Sequence, residues 1–128
     1  MDARSEAPLS VMAAELGRAW TSLTLSPRCP DGSKHAVVAR TRRAYADLAA
    51  SGASILGRGI RRLETIDGVR VELDDGSWLL VRASSNKPEL AIVVESLRSE
   101  DDMRDLFRHE ARPRLAAEPE VGDYNQEI

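Results

Sequence analysis

The sequence predicts an α+β layer, a small antiparallel or mixed sheet with helices packed on one face. Two segments, 33–50 and 100–111, repeat apolar side chains at helical spacing, and three runs, 69–73, 78–82 and 90–95, are apolar or alternate with period two. Polar turn residues separate those runs, and there are no internal repeats. Periodicity does not fix the strand order, because that depends on which connections cross over.

From the N-terminus, Ser10 is placed to cap a short helix over Val11–Trp20, in which Met12, Leu16 and Trp20 share a face that Gly17 weakens. Thr21 to Ser26 alternates as a strand, and the segment from Pro27 to Pro30 then enforces an extended connection. Asp31 is expected to cap a second helix over Ser33–Ala50, where Val37, Thr41, Ala44 and Leu48 form a stripe with Val38 and Tyr45 beside it. Arg40, Arg42, Arg43 and Asp47 lie off that stripe, and Gly52 supplies the stop. Glycines at 52, 57 and 59 make residues 51–62 a loop, or at most a broken strand near Ser54–Leu56.

Val69, Val71 and Leu73 alternate with Arg70 and Glu72, and Asp74-Asp75-Gly76-Ser77 turns the chain into Trp78–Arg82, a hairpin with one buried face. Leu90 to Glu95 reads as a central strand. Ser99 and Asp102 have capping-box spacing, and Met103, Leu106, Phe107 and Ala111 form a helical stripe that Pro113 is expected to end. The organisation expected is an N-terminal tail and short helix at 1–20, one domain at 21–113 and a tail at 114–128.

With 128 residues the chain suits a single domain of modest core. A net charge of -3 and only one Phe, two Tyr and two Trp argue against a polyanion binder or a base-stacking surface, so nucleic acid is not the expected partner. The single cysteine, Cys29, excludes an internal disulfide and fits a reducing compartment, and no run is long and apolar enough for a membrane span, so a cytoplasmic location is expected. Cys29 and His35 lack partners at catalytic spacing, and His109 reads as a surface histidine. Glu100, Asp101 and Asp102 are better explained by the positive end of a helix dipole than by a metal. Arg104, Arg108 and Arg112 read as a solvated face pairing with Asp101 and Asp105.

The connection Arg82-Ala83-Ser84-Ser85-Asn86-Lys87-Pro88-Glu89 gathers a guanidinium, two hydroxyls, a carboxamide and an ammonium between two apolar strands. A solvated polar turn would account for those residues, and so would an anion cradle, since charge-assisted bonds contribute about 1.5 to 3 kcal/mol each. Together with Ile66-Asp67-Gly68-Val69-Arg70-Val71, Asp75-Gly76-Ser77-Trp78-Leu79-Leu80-Val81-Arg82, Pro88 and Glu95, and with Pro30-Asp31 and Lys34 upstream, this loop resembles the C-terminal domain of the α-D-phosphohexomutases, the phosphomannomutase and phosphoglucomutase enzymes, over about residues 10 to 112.

The resemblance implies a TATA-binding-protein-like domain with a roughly four-stranded antiparallel sheet and helices on one side. It implies that the loop holds the nonreacting phosphate of a hexose phosphate, with Arg82 as clamp and Ser84, Ser85, Asn86 and Lys87 as supporting donors, none of them catalytic. Arg82, Ser84 and Pro88 match the family loop, whereas Ser85 stands for Gly or Asn, Asn86 for Thr, and Lys87 for Glu or Thr. Segments resembling the phosphoserine, metal and sugar loops of the family are absent, so this domain would bind no cofactor itself. Magnesium and the remaining mutase domains are implied for the complete enzyme. The alternatives are a stand-alone module binding protein or RNA, and a domain of this fold that has lost phosphate binding.

Overall fold

The computed structural model describes residues 18–128. The expected helix over 11–20 lies outside these residues except at its end, where Trp20 is in a strand instead. Six strands, β1 (Trp20–Thr21), β2 (Ser54–Ile55), β3 (Arg58–Glu64), β4 (Val69–Leu73), β5 (Trp78–Ala83) and β6 (Leu90–Ser96), form one sheet in the order β1-β6-β5-β4-β3-β2. Every pairing is antiparallel. The four long strands β3 to β6 make the expected antiparallel sheet, and two-residue strands extend it at both edges.

Alternation is what gives the sheet its two faces. Val69, Val71 and Leu73 of β4, Leu79 and Val81 of β5, and Leu90, Ile92 and Val94 of β6 all join one buried core, each contributing about 1.5 to 3 kcal/mol. Helix α1 (Lys34–Ala50) covers this face with Val37, Val38, Thr41 and Tyr45. It stops as expected, with Ser51 as the C-cap and Gly52 following in the left-handed region at φ 74°. Its start differs, because the N-cap is Ser33, which makes no side-chain cap bond, and the Asp31 carboxylate pairs with Lys34 Nζ at 2.9 Å.

The second helical segment comprises α2 (Glu100–Leu106), a π-helical turn (Phe107–Ala111) and α3 (Arg112–Ala116). Ser99 caps it, its hydroxyl accepting the Asp102 N–H at 3.0 Å. Met103, Leu106, Phe107 and Ala111 are buried as the stripe requires. Pro113 does not end the helix. The π turn, in which Arg112 N–H donates to Phe107 O, widens the backbone just before the proline, and Pro113 falls in the first turn of α3, where its missing N–H is tolerated.

Two further segments depart from expectation. Residues 58–64 are a strand rather than a loop, near the sheet edge, with a register shift between Ile60 and Arg62 that breaks the alternation. Beyond α3 the chain returns to the body of the domain. Arg28 N–H donates to Asp123 O at 2.8 Å, Gly122 N–H to Arg28 O at 2.8 Å, and Ser26 N–H to Asn125 Oδ1 at 2.8 Å. Val121, Tyr124 and Ile128 pack on the core, Tyr124 edge-on to Phe107. Of the arginine stripe, Arg104 pairs with Asp101 at 3.9 Å as expected and with Glu100 at 2.9 Å, whereas Arg108 donates to Ile128 O at 2.5 Å and Arg112 pairs with Glu127 at 2.6 Å, both serving this return.

Candidate functional site

The connection between β5 and β6 lies at one end of the sheet and is tied down from three directions. Ser84 N–H donates to Glu89 O at 3.0 Å and Glu89 N–H to Lys87 O at 2.8 Å, closing the turn on itself. Cys29 N–H donates to Pro88 O at 2.8 Å, and Leu90 N–H to Pro27 O at 2.9 Å, fastening it to the segment before α1. The third tie is Lys34, whose ammonium donates to Ser84 O at 2.6 Å and Lys87 O at 3.0 Å. The loop is therefore braced before any ligand arrives.

Ser85, Asn86 and Lys87 are exposed, and Ser84 is partly so. The Ser84 hydroxyl lies 3.4 Å from Asn86 Oδ1. Among the described residues, the backbone N–H groups of Ser85, Asn86 and Lys87 and the Lys87 ammonium have no hydrogen-bond acceptor. Arg82 stands two residues earlier on the face of β5 that the helices leave uncovered, beside Leu80, Arg70 and Asp67. Among the described residues its closest carboxylate is Asp67, at 4.0 Å, and its guanidinium makes one hydrogen bond, a 3.5 Å contact to Ala83 O. The fold thus brings Ser84 and Asn86 together and sets Lys87 on the same short loop, while no bond joins Arg82 to these side chains.

Gly68 fixes where Arg82 sits. With φ of 80° it lies so close to β5 that a Cβ would be 2.2 Å from Val81 O and 2.8 Å from Arg82 Cα. Only glycine allows the turn before β4 to rest on the backbone of Arg82.

The other sequence candidates resolve differently. Cys29 is wholly buried, and burial, followed by the nearby Glu120 charge, pushes its thiol pKa up, away from nucleophilic use. His35 is exposed, and His109 is 3.7 Å from Asp105. Trp78 suits a core position by residue type, yet it lies half-buried on the uncovered face, with Arg70 4.7 Å from its ring centre and its indole N–H donating to Glu95 at 3.1 Å. Among the described residues no three His, Cys, Asp or Glu side chains group as a metal site requires. Within the acidic cluster Asp102 is engaged by Arg58, which also meets Asp75. A cleft of about 620 Å³ opens beside Pro88, but its lining carries Asp31, Glu120 and Asp123 against the single cation Arg28, a balance unsuited to a dianion. No helix of the described residues is long and apolar enough to cross a membrane.

Sequence reasoning noticed Lys34 as part of a resemblance but missed its place under the loop, because its acceptors lie 50 and 53 residues away. One signal was available: a lysine in the first turn of a helix opposes the dipole.

Comparison with known proteins gives a consistent picture. The profile of the phosphoglucomutase/phosphomannomutase C-terminal domain matches residues 27–112. A probable phosphoglucosamine mutase of Methanopyrus kandleri is 38% identical over 103 residues, 77% of this chain and 19% of that protein. A probable phosphoglucosamine mutase of Methanothermobacter thermautotrophicus is 38% identical over 72 residues, 56% of this chain and 14% of that protein. A phosphopentomutase of Thermococcus kodakarensis is 38% identical over 68 residues, 53% of this chain and 14% of that protein. The chain therefore spans less than a fifth of the length of these relatives.

Proposed function

The chain belongs to the phosphoglucomutase/phosphomannomutase C-terminal domain family, and from that premise we propose that it is the phosphate-gripping domain of a sugar-phosphate mutase. Its task is to hold the phosphate that is not reacting and to close over the sugar while other domains perform the transfer. The observation that carries this reading is the braced β5–β6 loop, which leaves three consecutive amide donors and an ammonium without acceptors among the described residues. Arg82 stands nearby with no carboxylate closer than 4.0 Å among the described residues.

A phosphate dianion suits such a donor set. Backbone amides and a hydroxyl supply short directional bonds, and Arg82 and Lys87 supply charge. Lys87, where the resemblance has an acid or hydroxyl, strengthens attraction to a dianion, and Asn86 keeps a donor where a threonine hydroxyl would be. The magnesium and phosphoserine of a complete mutase would belong to other domains, and no step of the transfer runs through these residues.

We propose further that the clamp reads phosphate and not sugar. Relatives named for a glucosamine phosphate and for a pentose phosphate match this domain equally at 38% identity, which favours a site addressing what those substrates share. Closure of the domain would exclude water and fix the reacting oxygen.

In a mutase carrying this domain, Arg82→Ala is expected to raise KM and lower kcat while the active-site serine remains able to be phosphorylated. Unchanged steady-state kinetics would overturn the assignment.

A further inference from the structure

We propose that Lys34 is the positioning residue of the phosphate loop, gripping the Ser84 and Lys87 carbonyls from the core side so that the loop's frame is fixed and the Ser85 amide turns toward the ligand. This inference rests on the phosphate reading of the loop. Its side chain is only 7% exposed, and its ammonium has one acceptor for each of its three protons: Ser84 O at 2.6 Å, Lys87 O at 3.0 Å and Asp31 Oδ1 at 2.9 Å. A lysine is rarely buried unless paired in this way.

The location disfavours the helix that carries it. Lys34 is the first residue of α1, where the dipole repels a cation, the first turn holds no acidic residue, and the N-cap side chain makes no bond. A cation there is opposed by the dipole only weakly, whereas hydrogen bonds to a charged group are among the stronger ones a protein makes. The two bonds to the loop therefore outweigh the helix penalty, and the residue is better placed for the loop than for α1.

Peptide geometry links that grip to ligand binding. A planar trans peptide points its N–H opposite to its C=O, and there is no cis bond among the described residues. With Ser84 C=O held against Lys34, the N–H of Ser85 in the same peptide points away from Lys34, toward the exposed side of the loop. The second held carbonyl, Lys87, precedes Pro88, which has no N–H, so the grip turns no donor inward at that position. Lys34 is not exposed enough to be a second ligand contact. It acts by fixing the frame and by placing a positive charge behind it.

The test compares the chain with its Lys34→Met variant by amide hydrogen exchange, by carbonyl ¹³C shifts and by titration with inorganic phosphate. The expected result has three parts: Ser84 and Glu89 amide exchange at least tenfold faster with β4 protection retained, displaced carbonyl shifts at Ser84 and Lys87, and phosphate affinity weakened at least tenfold. Should Lys34→Met fold poorly, Lys34→Gln keeps a neutral donor and is read the same way, with a smaller loss of affinity. Unchanged loop exchange and unchanged carbonyl shifts would overturn the positioning role, whatever the unsubstituted chain does with phosphate. Uniformly faster exchange across the sheet would also overturn it, since Lys34 would then support the fold rather than the loop. A loosened loop in Lys34→Met, together with no phosphate binding by the unsubstituted chain, would overturn the phosphate reading itself.

Discussion

Arg58 and Arg82 sit near opposite ends of the same sheet and show how one residue type serves two purposes. The Arg58 side chain is 3% exposed and meets Asp102 through two bonds, at 2.8 and 2.9 Å, and Asp75 at 3.1 Å. Asp102 also accepts from the Ser96 hydroxyl at 2.7 Å, and Asp75 from Arg98 at 2.8 Å. Arg82 is 38% exposed and, among the described residues, has no carboxylate within 4 Å other than Asp67 at that limit. One end of the sheet is thus closed by a cation whose charge is answered internally, joining β3 to the start of α2. At the other end the cation's charge remains available to a ligand, and the loop beside it is held by Lys34. An arginine's role here follows from how completely the fold satisfies it.

Substitutions should separate the ends, beginning with the closed one. Asp102→Ala leaves the Arg58 charge buried with half its partners, and is expected to lower stability by about 3 to 5 kcal/mol, read by urea denaturation. Phosphate affinity of the molecules that remain folded should not change. Gly68→Ala is next: a left-handed φ and a Cβ 2.2 Å from Val81 O predict a loss of about 2 kcal/mol or more, and the shift of β5 should also displace Arg82 and weaken phosphate binding. A Gly68→Ala chain of undiminished thermal midpoint would show that this contact is not tight. Arg82→Ala should reverse the pattern, changing stability by no more than about 0.5 kcal/mol while weakening phosphate binding tenfold or more, about 1.4 kcal/mol.

The smallest effect is on pH dependence. Burial pushes the Asp102 carboxyl up, but hydrogen bonds from Arg58 and Ser96, with the Arg58 and Arg98 charges, outweigh it and leave its pKa below the ordinary 3.8. Asp75 follows the same balance, with the Ser77 N–H and Arg58 opposing burial. A carboxyl with a lowered folded pKa contributes stability that is present above its unfolded value and lost as pH falls through the folded one. The chain should therefore lose stability below about pH 4, and Asp102→Ala should flatten that acid limb in denaturation curves taken from pH 6 to pH 2.

The parts of this architecture legible in the sequence were those governed by neighbours along the chain. The alternation of Val69, Val71 and Leu73, the apolar run of β6, the stripe of α1 and the Ser99 cap all express local periodicity or local bonding. Strand β3 is hidden because its bulge interrupts alternation and its sequence carries three arginines, answered by carboxylates that the fold supplies, Glu72 on β4 and Asp102 at the start of α2. Pro113 misled because a π turn precedes it, which a regular 3.6-residue period does not anticipate. The loop residues were visible as a donor cluster between two strands, but the lysine that braces them was not, since its contacts join the start of α1 to the β5–β6 turn.

Phosphate binding by the β5–β6 loop can be read residue by residue in an amide NMR titration of the chain with inorganic phosphate, glucose 1-phosphate and glucosamine 6-phosphate. Saturable shifts are expected, confined to Arg82 through Glu89, of similar affinity for all three ligands and near the millimolar scale, about 4 kcal/mol. The amides around Arg58, Asp75 and Asp102 should not move. No saturable shift in the loop, or shifts centred on the Arg58 end of the sheet, would contradict it.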